Sequence, residues 1–155
     1  MPAGTPGFEV QPAYRKMGWH ASDTHGLTFT DCRVPADHLL GERGRGFANF
    51  LAILDDGRVA IAALALGVIE CCLEECQRYA NERHTFGRAI GTNQAVAFKV
   101  ADLAVMAAAA RGLVYGAAAR RDAGLPFKKE AAIAKLYATE AAVTATREAT
   151  QIFGG

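Results

Sequence analysis

From residue 47 onward, only two places oblige an α-helix to stop: the stretch running from Arg83 to Asn93, and Gly124-Leu125-Pro126. Between them alanine, leucine, glutamate and arginine dominate, all strong helix formers. The pattern predicts three helices, over 47–82, over 93–123 and from 127 towards 152. Asn93 stands where a cap would open the second, and glycine followed by proline ends it. A helix of ~30 residues spans roughly 45 Å, a length suited to an antiparallel bundle with short connections. On the first helix Phe50, Leu51, Leu54, Ile61, Leu64 and Val68 make a broad apolar surface. The third carries Ile133, Leu136, Tyr137, Val143 and Ile152. Gly67, Gly112 and Gly116 fall inside helices, each at about 1 kcal/mol relative to alanine, and close helix crossing is the expected compensation.

The first 45 residues read differently. Prolines and glycines separate short alternating runs, such as the one in which Leu27 and Phe29 share a face. Two or three strands fit, too few to bury a core alone, so the stretch reads as the end of a larger β domain. Three glycines in Gly41-Glu42-Arg43-Gly44-Arg45-Gly46 break any regular element and mark a boundary. This gives residues 1–45 as the end of a β domain and 46–155 as a truncated helical bundle, because the chain closes on Gly154-Gly155 with no polar ending. The fold class is mainly α, an incomplete antiparallel bundle preceded by a small β remnant.

Charge excludes several functions. Lysine plus arginine number 17 against 16 acidic residues, a net +1 that leaves no footprint for nucleic acid or an anionic membrane. The most apolar span, 47–72, carries Asp55, Asp56 and Arg58, which make a membrane helix costly. Cys32, Cys71, Cys72 and Cys76 have neither a secreted framework nor zinc-ribbon spacing and read as reduced, buried thiols, with Cys72 and Cys76 as core fillers. His20 and His25 flank Asp23 without further ligands at zinc spacing, so no metal site is assigned. Glu74, Glu75 and Arg78 form a solvated, mutually paired helix face.

Two constellations can carry chemistry. Arg83 ends a long helix, Phe86-Gly87 turns the chain, and Gln94 opens the next helix. A lone arginine there is ordinarily a surface charge in the helix dipole. In this company its planar fork can bind a pyrophosphate bidentately. Asp55 and Arg58 are charged residues in an apolar helix at i,i+3 spacing, and a mutual salt bridge is the simplest account of them.

Several of these pieces together resemble the acyl-CoA dehydrogenase family. The resemblance rests on Arg-x-x-Phe-Gly-x-x-Ile-x-x-x-Gln from Arg83 to Gln94, on Gln-Ala-Val-Ala-Phe-Lys-Val-Ala-Asp from Gln94 to Asp102, on Asp31-Cys32-Arg33-Val34-Pro35, on Leu40-Gly41-Glu42, on Leu54-Asp55-Asp56-Gly57-Arg58 and on Gln151-Ile152-Phe153-Gly154-Gly155. It covers nearly the whole chain. It implies an enzyme with an N-terminal helical domain, a middle β domain and a C-terminal bundle, assembled as a homodimer or homotetramer. It implies FAD as cofactor, an acyl-CoA substrate oxidised to the trans-2-enoyl-CoA, and an electron-transfer flavoprotein as acceptor. Arg83 and Thr85, with Phe86 shaping the turn, would contact the FAD of a neighbouring subunit near its pyrophosphate. Gln94 would reach the same cofactor, and Gln151 with the Gly154 and Gly155 backbone its pyrophosphate and adenosine end. Asp55 and Arg58 would line the acyl-CoA channel.

The same resemblance implies that no catalytic residue lies in this chain. In most branches the glutamate base follows Gln-x-x-Gly-Gly by a few dozen residues, and in the isovaleryl-CoA and long-chain branches it occupies the position of Gly57, which cannot take a proton. The isolated segment would be inactive. The expected compartment is the bacterial cytoplasm, or the mitochondrial matrix in a eukaryote. Competing readings are an acyl-CoA oxidase or a nitroalkane oxidase-like relative, and a non-catalytic oligomerisation or scaffold bundle.

Overall fold

The computed structural model describes residues 1–155, which divide into two compact units, Met1–Asn49 and Phe50–Gly155. In the first, β1 (Phe8–Ala13) pairs antiparallel with β2 (His25–Phe29), Phe8 opposite Phe29 and Val10 opposite Leu27. The register slips between Val10 and Ala13, where Pro12 has no N–H to give the ladder. Gly7 closes the hairpin at φ +79°, and a Cβ there would lie 2.1 Å from the Thr30 carbonyl oxygen, so only glycine fits. Phe8 and Phe29 stack at 5.3 Å. No residue of this unit is buried, as follows for two strands that cannot enclose anything.

The helical unit is built from α1 (Gly46–Glu82), α2 (Gln94–Asp122) and α3 (Lys128–Phe153). All three match the helices predicted from composition to within about two residues, the usual latitude at helix ends. Ion pairs record the antiparallel order. Asp56 and Glu70 on α1 meet Arg121 and Arg111 on α2, and Lys99 and Arg120 on α2 meet Glu148 and Glu130 on α3. The turn between α2 and α3 is a Schellman motif: Gly124, at φ +66°, donates to the Arg121 carbonyl, and the Leu125 N–H donates to that of Arg120. Arg120 Nε also donates to the Pro126 carbonyl at 3.0 Å, pinning the five-residue turn to the helix it leaves.

The core is made mostly of alanine. Ala107, Ala110 and Ala117 of α2 face Ala131, Ala134, Ala138, Ala141 and Ala145 of α3, all buried. Such small side chains let these two helices approach closely, while α1 lies further off and fills the gap with Leu66, Ile69 and Cys76 against Leu103 and Val114. The broad surface expected on α1 is a different face. Phe50, Leu51, Leu54, Ile61, Leu64 and Val68 are all exposed, as are Ile133, Leu136 and Val143 of α3. Large apolar residues outnumber alanine in hydrophobic weight, and that weight drew the sequence reading to the outer face; the inner seam is selected by size.

Three further expectations are corrected. A Cβ added to Gly67, Gly112 or Gly116 would meet nothing within 4 Å, so these glycines face open space and no helix of the chain crosses there. Cys71 is exposed, Cys72 half-buried and only Cys76 buried, all free thiols; burial pushes the Cys72 and Cys76 thiols above their ordinary pKa. Asn93 precedes α2 but makes no side-chain cap; its Oδ1 accepts from Arg88 Nη2 at 2.8 Å. No helix is long and apolar enough to cross a membrane.

Candidate functional site

Beyond Glu82 the chain leaves α1 through Arg83, whose N–H still donates to the Tyr79 carbonyl at 2.8 Å while its own carbonyl accepts from Ile90. Between these two bonds lies a small hairpin, β3 (His84–Thr85) paired with β4 (Arg88–Ala89) around the loop Phe86-Gly87. Both loop residues have positive φ, +53° and +78°, the twist that two-residue hairpins require. Glycine takes this readily, whereas a phenylalanine in the left-handed region costs about 1–2 kcal/mol. Its ring recovers none of that in the chain, since Phe86 is 103% exposed. The sequence shows a turn here but no strands, because Phe-Gly lacks the Asn-Gly or Asp-Gly signal that announces such a hairpin.

The donors at this end differ in their engagement. Arg78 is held by Glu75 and Glu82, and Arg88 by Asn93. Arg83 is exposed and forms no ion pair in the chain. Thr85 is half-buried, and Gln94 and Gln151 are exposed. A guanidinium, a hydroxyl and two carboxamides form a donor set that a diphosphate accepts. The end of α3 reaches the same end of the bundle, for Phe153 stacks on Tyr79 with ring centroids 4.3 Å apart and planes 19° from parallel.

The Gly154-Gly155 pair closes α3 as a second Schellman motif. Gly154 adopts φ +102°, its N–H donates to Gln151 and Thr150, and that of Gly155 donates to Thr150. The main-chain donors that sequence reasoning offered to a phosphate are therefore engaged in the cap. What the glycines present is a surface without Cβ atoms, a Cβ on either meeting nothing within 4 Å.

Asp55 and Arg58 lie far from this cluster. Arg58 is bonded to Asp55, as the i,i+3 spacing predicts, and flanks an open cavity of about 700 Å³ together with Arg120, Pro126, Lys128 and Glu130. A smaller hollow of about 260 Å³ lies beside it between Leu54, Gly57, Ile61 and Lys135. Its neighbour Asp56 instead reaches Arg121, whose hydrogen bond and charge hold the Asp56 carboxyl below its ordinary pKa. Twenty-four residues of α1 separate Arg58 from Arg83, roughly 40 Å of helix. In the β hairpin, His25 Nδ1 bonds to the Gln11 carbonyl at 2.8 Å. No group of three or more His, Cys, Asp or Glu converges as metal ligands would.

The family model described as acyl-CoA dehydrogenase, C-terminal domain, matches residues 44–155. A short-chain specific acyl-CoA dehydrogenase of Megasphaera elsdenii is 45% identical over 152 residues, covering 98% of this chain and 40% of that protein. The three-dimensional structure of butyryl-CoA dehydrogenase from Megasphaera elsdenii superposes with a TM-score of 0.95 at 44% identity, over 100% of this chain and 40% of that one. A structure of PigA with FAD and proline superposes equally well, TM-score 0.95, at 30% identity over 100% of this chain and 40% of that one. The fold is that of the helical domain of a flavoprotein dehydrogenase family. The chain belongs to the acyl-CoA dehydrogenase family, and it spans about 40% of the length of the relatives it matches.

Proposed function

We propose that this chain is the C-terminal part of an FAD-dependent acyl-CoA dehydrogenase that converts a saturated acyl-CoA to its trans-2-enoyl-CoA. Arg83, Thr85 and Gln94 would bind the cofactor's diphosphate, Phe86 would wall the turn, and Gln151 with the Gly154-Gly155 cap would flank the diphosphate and adenosine. Asp55 and Arg58 would line the channel for the acyl-CoA. When bound, FAD supplies the acceptor for the hydride leaving the β-carbon. No residue of this chain is assigned as the base that takes the α-proton; Gly57 has no group for it, and the isolated segment would be inactive. Reoxidation would fall to an electron-transfer flavoprotein, in the bacterial cytoplasm or the mitochondrial matrix.

The observation that carries this reading is the separation of the two clusters along α1. A span of roughly 40 Å sets the substrate-lining segment at Arg58 well apart from the diphosphate grip at Arg83. Each chain would then offer the first to one active site and the second to a neighbouring subunit's, in a homodimer or homotetramer. The assay is an anaerobic titration of the complete protein with butyryl-CoA, followed by oxygen. Bleaching of the flavin that persists after oxygen is admitted supports the dehydrogenase. Rapid reoxidation would identify an oxidase on the same scaffold, and absence of bleaching with any acyl-CoA would overturn the dehydrogenase reading.

A further inference from the structure

We infer that Tyr79 is a positioning residue: stacked on Phe153, it holds the end of α3, with Gln151 and the Gly154-Gly155 cap, in fixed register with Arg83 and the β3–β4 hairpin. The inference rests on the proposed function, in which both parts grip one diphosphate. The two parts are separated in sequence by α2 and nearly all of α3, and no hydrogen bond or ion pair joins residues 83–93 to residues 150–155. Both instead land on the last turn of α1. Tyr79 gives its carbonyl to the Arg83 N–H and its ring to Phe153. Ala80, the next residue, is buried, and Gly91 comes so close that a Cβ there would lie 3.0 Å from the Ala80 carbonyl oxygen. The hairpin's base and the end of α3 thus meet across two consecutive residues.

The chemistry of the contact suits positioning. Ile152 is buried in the core and fixes the height of α3, while a near-parallel ring pair resists sliding and tilting of the turn that follows. Phe153 is 43% exposed, so the stack lies at the rim of the core, where it can steer the cap without carrying the fold. The Tyr79 hydroxyl takes part in none of the chain's hydrogen bonds, so the ring alone is required.

The test measures the FAD dissociation constant of the complete protein, by titrating the apoprotein with FAD, for Tyr79→Leu, Phe153→Leu, Tyr79→Phe, Arg83→Ala and Gln151→Ala, and for Tyr79→Leu combined with Gln151→Ala. Loss of a stack corresponds to roughly 3- to 10-fold weaker binding. Tyr79→Leu and Phe153→Leu should each show it, Tyr79→Phe should bind as the native protein does, and the double variant should lose less than the two single losses combined, because misplacing Gln151 has no effect once its side chain is gone. Because Phe153 lies at the rim, its variant keeps the question answerable if Tyr79→Leu folds poorly. Native affinity in both leucine variants, equal loss in Tyr79→Phe, or full additivity with Gln151→Ala would overturn the inference. Native affinity in Arg83→Ala or in Gln151→Ala would instead overturn the underlying assignment, and the inference with it.

Discussion

The bundle reverses direction twice, and its two connections are unlike. Between α2 and α3 the chain turns in the five residues Ala123 to Phe127, closed by the Schellman motif and the bond from Arg120 to Pro126. Between α1 and α2 it takes the eleven residues Arg83 to Asn93, and lifts out a hairpin whose tip is a strained and exposed phenylalanine. The first connection shows how little an antiparallel reversal needs. The additional length and strain of the second are what the proposed cofactor grip, with the unpaired Arg83 at its base, would account for.

The contrast can be broken most sharply at the two turns themselves. Gly124→Ala puts a Cβ on a residue at φ +66° and should cost about 1 kcal/mol in urea unfolding, with FAD affinity unchanged; a loss of affinity would mean that the short turn also serves the site. Phe86→Asn should act in the opposite direction. Asparagine tolerates the left-handed region, so the variant should gain about 0.5–1 kcal/mol in stability while binding FAD more weakly. A stabilised variant with native affinity would leave the exposed ring without a role.

The smallest effect concerns Asp56, which joins α1 to the last turn of α2 ahead of the short connection. Arg121 depresses its carboxyl from the ordinary value of 3.8, so the pair's contribution is complete above that pH and is lost as pH falls through the lower folded-state value. Stability measured from pH 7 down to 2 should show native protein and Asp56→Asn differing by a small constant amount above about pH 5 and converging below 3.8. A difference that grew towards acid would mean that the pair does not depend on the charged carboxylate.

The helices were legible because composition and the breaks at Arg83 and Gly124 determine them locally. The i,i+3 pair of Asp55 and Arg58 was legible for the same reason, two side chains one turn apart. What escaped the sequence depends on the partner across space. The alanine seam was missed because hydrophobicity scales weight Phe50 and Leu54 above Ala110 and Ala138, although closeness of packing selects the smaller residue. Gly112 and Gly116 look the same in sequence whether they face a helix or open space. Asn93 was read as a cap from its place in the chain, and Arg88 claims it instead. The ring of Tyr79 reads as ordinary core until its contact with Phe153 is seen, since nothing local links the two.

The most direct test of the central claim is a crystal structure of the complete protein with FAD bound. The account predicts the Arg83 guanidinium within hydrogen-bonding distance, about 3 Å, of the diphosphate of a cofactor whose flavin lies in another subunit's active site. An Arg83 side chain in bulk solvent, with the diphosphate held entirely by other residues, would contradict it.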